Sequence, residues 1–174
     1  MVLFDEPLLC NFSNLKRTDE HVSENIISLL TKLYQKIHSL GAFVGVQSFN
    51  KCNWQIPIDA GADLLSFDAY NNPNNLNVIA ESINNFLVNG GYINWGIVPV
   101  MSVNTIKSIN LDYMEQKLAA VTNSLADDGV LHGPLMRHST VSVQGDLSQM
   151  PILHAEKALI LSHQLSNKLS HLRH

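Results

Sequence analysis

Ala42-Phe-Val-Gly-Val-Gln47, a loop closing on Trp54, and Asp63-Leu-Leu-Ser-Phe-Asp-Ala-Tyr70 form the stretch whose reading decides the fold. Each end is a short apolar run, rich in β-branched and aromatic residues, that stops abruptly in polar side chains. A strand buried in a parallel sheet reads this way, and it delivers its polar groups to one rim of the sheet. Between the two runs, a helical turn from Trp54 to Ala60 is stopped by Gly61.

The same plan repeats on both sides. Upstream, Val2-Leu-Phe-Asp5 predicts a first strand, closed by Asp5-Glu6-Pro7 because Pro7 has no N–H for a ladder and biases Glu6 away from helix. Thr18 is placed to cap a helix that carries Asp19 and Glu20 in its first turn, where the helix dipole favours acids. Val22, Ile26, Leu29, Leu30, Leu33 and Ile37 then recur at helical spacing up to about Ser39.

Downstream, helices are predicted over Leu76 to Val88, Leu111 to Ala126 and Gln149 to Leu172, the last starting behind Ser148. They alternate with strands over Tyr92 to Val98 and Leu135 to Val143, the latter passing through Arg137, His138 and Ser139. Five strands alternating with helices over short connections predict an α/β fold, a parallel sheet with helices outside it. In an open doubly wound sheet and in a (β/α)8 barrel alike, the functional rim lies at the strand C-terminal ends. Those ends hold Asp5, Glu6, Gln47, Asp68, Tyr70, Pro99 and Ser142.

With 174 residues, 45% hydrophobic and 15% charged, the chain has the composition of one globular domain spanning residues 1–174. A net charge of −4 with no run of Lys or Arg argues against nucleic acid as a partner. No apolar run approaches the roughly 20 residues of a membrane span, so no membrane partner is expected. Cys10 and Cys52 form no Cys-x-x-Cys pair, and the Met-Val-Leu-Phe-Asp-Glu-Pro start lacks a basic region and a long apolar core. A cytoplasmic location is the expectation.

Asp5-Glu6-Pro7 after a strand, Val44-Gly45-Val46 before a Trp-containing loop, Asp59 to Tyr70, Gly90-Gly-Tyr-Ile-Asn-Trp-Gly-Ile-Val-Pro99 and the Arg137-His-Ser139 segment occur together in that order. In these motifs the chain resembles the catalytic, C-terminal barrel of cobalamin-independent methionine synthase, in the superfamily shared with uroporphyrinogen decarboxylase. The resemblance implies a TIM-type barrel in which zinc binds the thiolate of homocysteine, the acceptor of a methyl group. Zinc holds a thiol deprotonated at neutral pH and so supplies a nucleophile.

The ligand positions of that family depart here. Its His-x-Cys pair falls on Gln47 and Phe49, its Glu falls on Asp68, and its final cysteine-bearing loop has become Ser142-Val-Gln-Gly145. Asp68 alone is a possible remnant, so no zinc or other cofactor is expected. The Asp5 strand lies about midway through the family's barrel, which implies a partial (β/α) barrel of about five strands where a whole one takes about 250 residues. Such a half leaves strand edges open, which implies a partner: a second copy in a homo-oligomer, or a separate N-terminal half-barrel chain.

Asp5 matches the family residue that holds the substrate's amino group, and Glu6, Asp68, Tyr70, Trp54 and Ser142 complete the expected substrate-binding set; the catalytic residues are unassigned. Each has a plainer reading. Asp5 and Asp68 can cap turns or find partners at strand ends, and Trp54 and Trp95 can be packing residues. A lone Cys52 without a placed His base is normally an inert small hydrophobe, and His138 in an apolar strand a hydrogen-bonded core residue.

Three functions stay open. One is a diverged methyltransferase-like chain with little or no activity. Another is a small-molecule-binding or regulatory module that completes its barrel with a partner. The third is a zinc-independent lyase of the decarboxylase branch, working through carboxylates such as Asp5 and Asp68.

Overall fold

The computed structural model describes residues 1–5 and 20–171. Glu6 and the cap assigned to Thr18 lie outside the described residues. The short apolar runs become strands β1 (Val2–Asp5), β2 (Val44–Ser48), β3 (Leu64–Phe67), β4 (Tyr92–Val98) and β5 (Ser139–Val143). All pair in parallel, in the order β1-β2-β3-β4-β5. Strand order therefore follows chain order and never reverses.

Parallel neighbours need a crossover connection, and such crossovers are right-handed in about 98% of cases. Crossovers that all step the same way bring their helices onto the same face of the sheet. The connecting helices are α1 (Glu20–His38), α2 (Gln55–Asp59), α3 (Ala80–Val88), α4 (Val103–Ser108), α5 (Leu111–Asp127) and α6 (His132–Arg137); α7 (Ile152–His171) follows β5. Helices α5 and α7 pack on β4, and α7 on β5.

The two faces differ as that winding requires. Val44, Val46, Leu65, Phe67, Ile93 and Trp95 point to one side and are fully buried. Phe67 sits between two indoles, 6.0 Å from Trp54 and 5.5 Å from Trp95 by ring centroids, the second pair edge-to-face. Trp95 Nε1 donates to Ser139 Oγ at 2.8 Å, and that hydroxyl donates to the Leu135 carbonyl, so the indole is anchored at both its apolar and polar ends. On the other face, away from the side to which the crossovers bring their helices, Leu3 is 45% and Tyr92 39% exposed.

The helix ends are held locally. Asn110 Oδ1 accepts from Tyr113 N at the start of α5, and Gly129, at φ 98°, ends the turn that follows it. Before α7, Asp146 accepts from the Ser148 backbone and hydroxyl, which holds its carboxyl below the usual carboxylate range.

Several expected boundaries shift. The segment Leu135 to Arg137 is not strand: it lies in α6, and β5 begins only at Ser139. His138 is accordingly no core strand residue; it is half-buried beyond the end of α6, with its ring 4.8 Å from that of Tyr92. Helix α4 occupies a segment with no expected element, and a 3-10 turn at Asn77–Ile79 replaces the first turn expected before α3. On α1, Leu29 is 69% exposed and Val22 and Leu33 also face outward, while Tyr34 is the buried side chain. Among the described residues no helix is long and apolar enough to cross a membrane.

Candidate functional site

Register places one residue of each strand in a row on the uncovered face: Asp5, Gln47, Ser66, Asn94 and Thr140. In β3 and β4 the flanking residues are Leu65, Phe67, Ile93 and Trp95, all buried on the opposite face. A polar residue between two apolar ones in a strand points away from the side its neighbours bury.

Asn94 is the hub of the row. Its Nδ2 donates to Ser66 Oγ and to Ser142 Oγ, each at 2.8 Å, and its Oδ1 accepts from Thr140 Oγ1 at 3.0 Å. A primary amide has two donor hydrogens, so the Asn94 N–H groups are fully used. Ser66 Oγ reaches Gln47 Oε1 at a long 3.5 Å, and Ser142 Oγ donates to the Val143 carbonyl. The network is saturated in its middle and open at its β1 end: Gln47 Nε2 and the exposed Asp5 carboxylate bond to no other described residue.

Asp68 stands just beyond β3 and is buried. Asp68 Oδ1 accepts from Asn71 N at 2.9 Å; Oδ2 accepts from Asn71 Nδ2 at 2.8 Å and from Gln144 Nε2 at 3.1 Å. Gln144 Oε1 in turn accepts from Val100 N. One carboxylate thus ties together the loops after β3, β4 and β5. This satisfies the demand that a buried carboxylate be paired.

Tyr70 does not join Asp68. It turns toward α5, where Lys117 Nζ lies 4.3 Å from the centre of its ring and Tyr113 is a neighbour. Burial first, and then Tyr113, raise the Tyr70 pKa above the ordinary tyrosine value. Trp54 is 1% exposed and packed in the core, so it lines no open wall. Its Nε1 makes no hydrogen bond among the described residues.

No family model, curated protein or solved structure matches the chain.

Gln47, Phe49, Asp68 and the loop after β5 do not fit zinc. Gln47 offers an amide and Phe49 a phenyl ring, both oxygens of Asp68 already accept amide hydrogens, and Ser142-Val-Gln-Gly145 has no thiol. Among the described residues no group of three or more His, Cys, Asp and Glu side chains is placed to hold a metal ion.

Of the expected residues, Asp5, Gln47 and Ser142 lie along or beside one row, while Asp68, Tyr70 and Trp54 go to three different surroundings. Sequence reasoning missed Ser66, Asn94 and Thr140. Single polar residues at Leu65-Ser-Phe67 and Ile93-Asn-Trp95 were the available signal, a break of period two in otherwise apolar strands.

Proposed function

We propose that the chain is a zinc-independent relative of the cobalamin-independent methionine synthase barrel, whose uncovered face binds a small amino-bearing molecule instead of catalysing methyl transfer to homocysteine. The observation that carries this reading is the row on that face, which ends in the Asp5 carboxylate beside the amide hydrogens of Gln47, neither bonded to another described residue. A carboxylate is an acceptor for an ammonium group and Gln47 Nε2 a donor for an oxygen. The saturated middle of the row, Ser66 to Thr140, gives this end a fixed floor. A sheet wound in one direction, its strand order never reversing, supports a partial TIM-type barrel over a doubly wound fold. The commitment of both Asp68 oxygens counts against Asp68 as the working carboxylate of the lyase reading and leaves it Asp5.

The test is thermal denaturation with a panel of L-amino acids and their des-amino counterparts. A ligand at 100 times its Kd stabilises by about 2.7 kcal/mol. The expected result is a rise in melting temperature with the amines alone, lost in Asp5→Ala. An unchanged shift in that variant, or equal shifts with the des-amino acids, removes the proposed role.

The uncovered face also favours a barrel completed by another chain, because Leu3 and Tyr92 expose apolar surface on it. Native mass spectrometry is then expected to give a homo-oligomer, or a complex with a separate half-barrel. A monomer at every concentration counts against completion by a second copy.

A further inference from the structure

A second site lies in the helix layer, away from the polar row. Helices α5, α6 and α7 leave a crevice of about 600 Å3 between them. That is within the 300–1,000 Å3 range typical of small-molecule pockets. Its floor is built from three elements: Leu118 and Thr122 of α5, Met136 of α6, and Leu165 and Leu169 of α7, all buried. Thr122 turns its hydroxyl back to the Leu118 and Ala119 carbonyls, so it presents its methyl group rather than a polar atom.

The exposed lining is rich in donors. Lys168 pairs with Glu115 across α5 and α7, while Asn123 and His132 bond to no other described residue. An ammonium has three donor hydrogens, so Glu115 leaves Lys168 with capacity to spare. Lys168 and Glu115 offset each other's charge, so the apolar floor below this mouth suits an amphiphile whose head accepts hydrogen bonds from the spare donors of Lys168, Asn123 and His132.

Size separates a small molecule from a helical segment of a partner. The lining runs from Glu115 to Asn123 on α5 and from Leu165 to Leu169 on α7. At 1.5 Å per residue these spans are roughly 12 Å and 6 Å. The α5 wall would match the roughly 10 Å from i to i+7 of a docked amphipathic helix, but the α7 wall is too short to receive such anchors. We infer that this crevice binds a medium-chain monocarboxylate, its hydrocarbon chain on the Leu118, Met136, Leu165 and Leu169 floor and its carboxylate at Lys168, Asn123 and His132. This inference does not depend on the Asp5 site.

Isothermal titration calorimetry of the full chain with sodium decanoate, kept below its micellar concentration, tests it. The expected result is saturable one-to-one binding whose heat capacity change is negative, as burial of a hydrocarbon chain requires. Lys168→Met is expected to weaken binding by about fivefold to tenfold, the range for losing one charge-assisted contact. Ala119 lines the crevice at an exposed position, so Ala119→Phe fills it from the solvent side without touching the core. That variant is expected to melt as the parent does and to bind decanoate at least about tenfold more weakly.

Absence of saturable heat, undiminished binding in Ala119→Phe, or equal affinity for decylammonium would each overturn the inference. So would a dimer that Ala119→Phe dissociates, because a second copy would then cover the crevice.

Discussion

Trp95→Ala is expected to lower the stability of the fold by about 4 kcal/mol, the middle of the range for aromatic truncations in a core. Trp95 is completely buried, meets Phe67 edge-to-face and anchors its N–H on Ser139. Truncation removes the transfer free energy of the ring and leaves a cavity between β4 and the helices that cover it. Whole domains are stable by about 5–15 kcal/mol, so the variant stands close to unfolding at room temperature. Urea denaturation is the check: the midpoint should fall steeply while the slope stays that of the parent. Trp95→Phe keeps most of the apolar volume and loses the hydrogen bond, and it should cost about 1–2 kcal/mol. An alanine variant no less stable than the phenylalanine one would contradict the packing described for Phe67 and Trp95.

Gly96→Ala is expected to cost about 3 kcal/mol, although it adds one methyl group. A Cβ on Gly96 would stand 2.7 Å from the Phe67 carbonyl oxygen and 3.3 Å from the Gln144 Cα. Both neighbours are backbone, so relief requires moving β3 or the end of β5 rather than rotating a side chain. The position also borders the irregularity in the β4 to β5 register between Gly96 and Val98. Gly145→Ala is the control, because its Cβ would meet only Val100 and Met101 side chains at 3.7 and 3.9 Å. It should stay within about 0.5 kcal/mol of the parent. Equal costs at the two glycines would contradict the close approach of Gly96 to the Phe67 carbonyl.

Strands were legible in the sequence where apolar runs were bounded by hard stops. Val2–Asp5 before Glu6-Pro7 and Tyr92–Val98 between Gly91 and Pro99 fall where such stops place them. Short apolar runs without a stop were not. Leu135-Met136 runs on toward Ser139 through Arg137 and His138, and two apolar residues show no period by which α6 can be told from β5. The face of α1 was misjudged for a related reason: Leu29, Leu30, Leu33 and Tyr34 form a band too wide to fix a rotation, and only packing selected Tyr34. In the site, Asp5, Gln47 and Ser142 could be named as strand-end residues. The hub role of Asn94 depends on register with Ser66 and Thr140, a long-range property that no local pattern encodes. Tyr70 follows Asp68 by two residues, yet the chain turns after β3 and carries it to Tyr113 and Lys117.

Because every strand pairs with the strand next to it in the chain, the described sheet forms without closing any loop longer than one crossover. Such closures carry the smallest entropic penalty a parallel sheet permits, and low separation between contacting residues favours rapid folding. Growth can proceed unit by unit, as in a repeat array, with each βα unit laid on the last. The reverse process has a preferred end. β1 has one described neighbour, β2, and its side chains keep much of their surface, so opening should begin there while β3 and β4 hold. The Asp5 carboxylate would be the first group to leave the row and the last to return, so the end of the row proposed to bind a ligand is also the last part of the sheet to form.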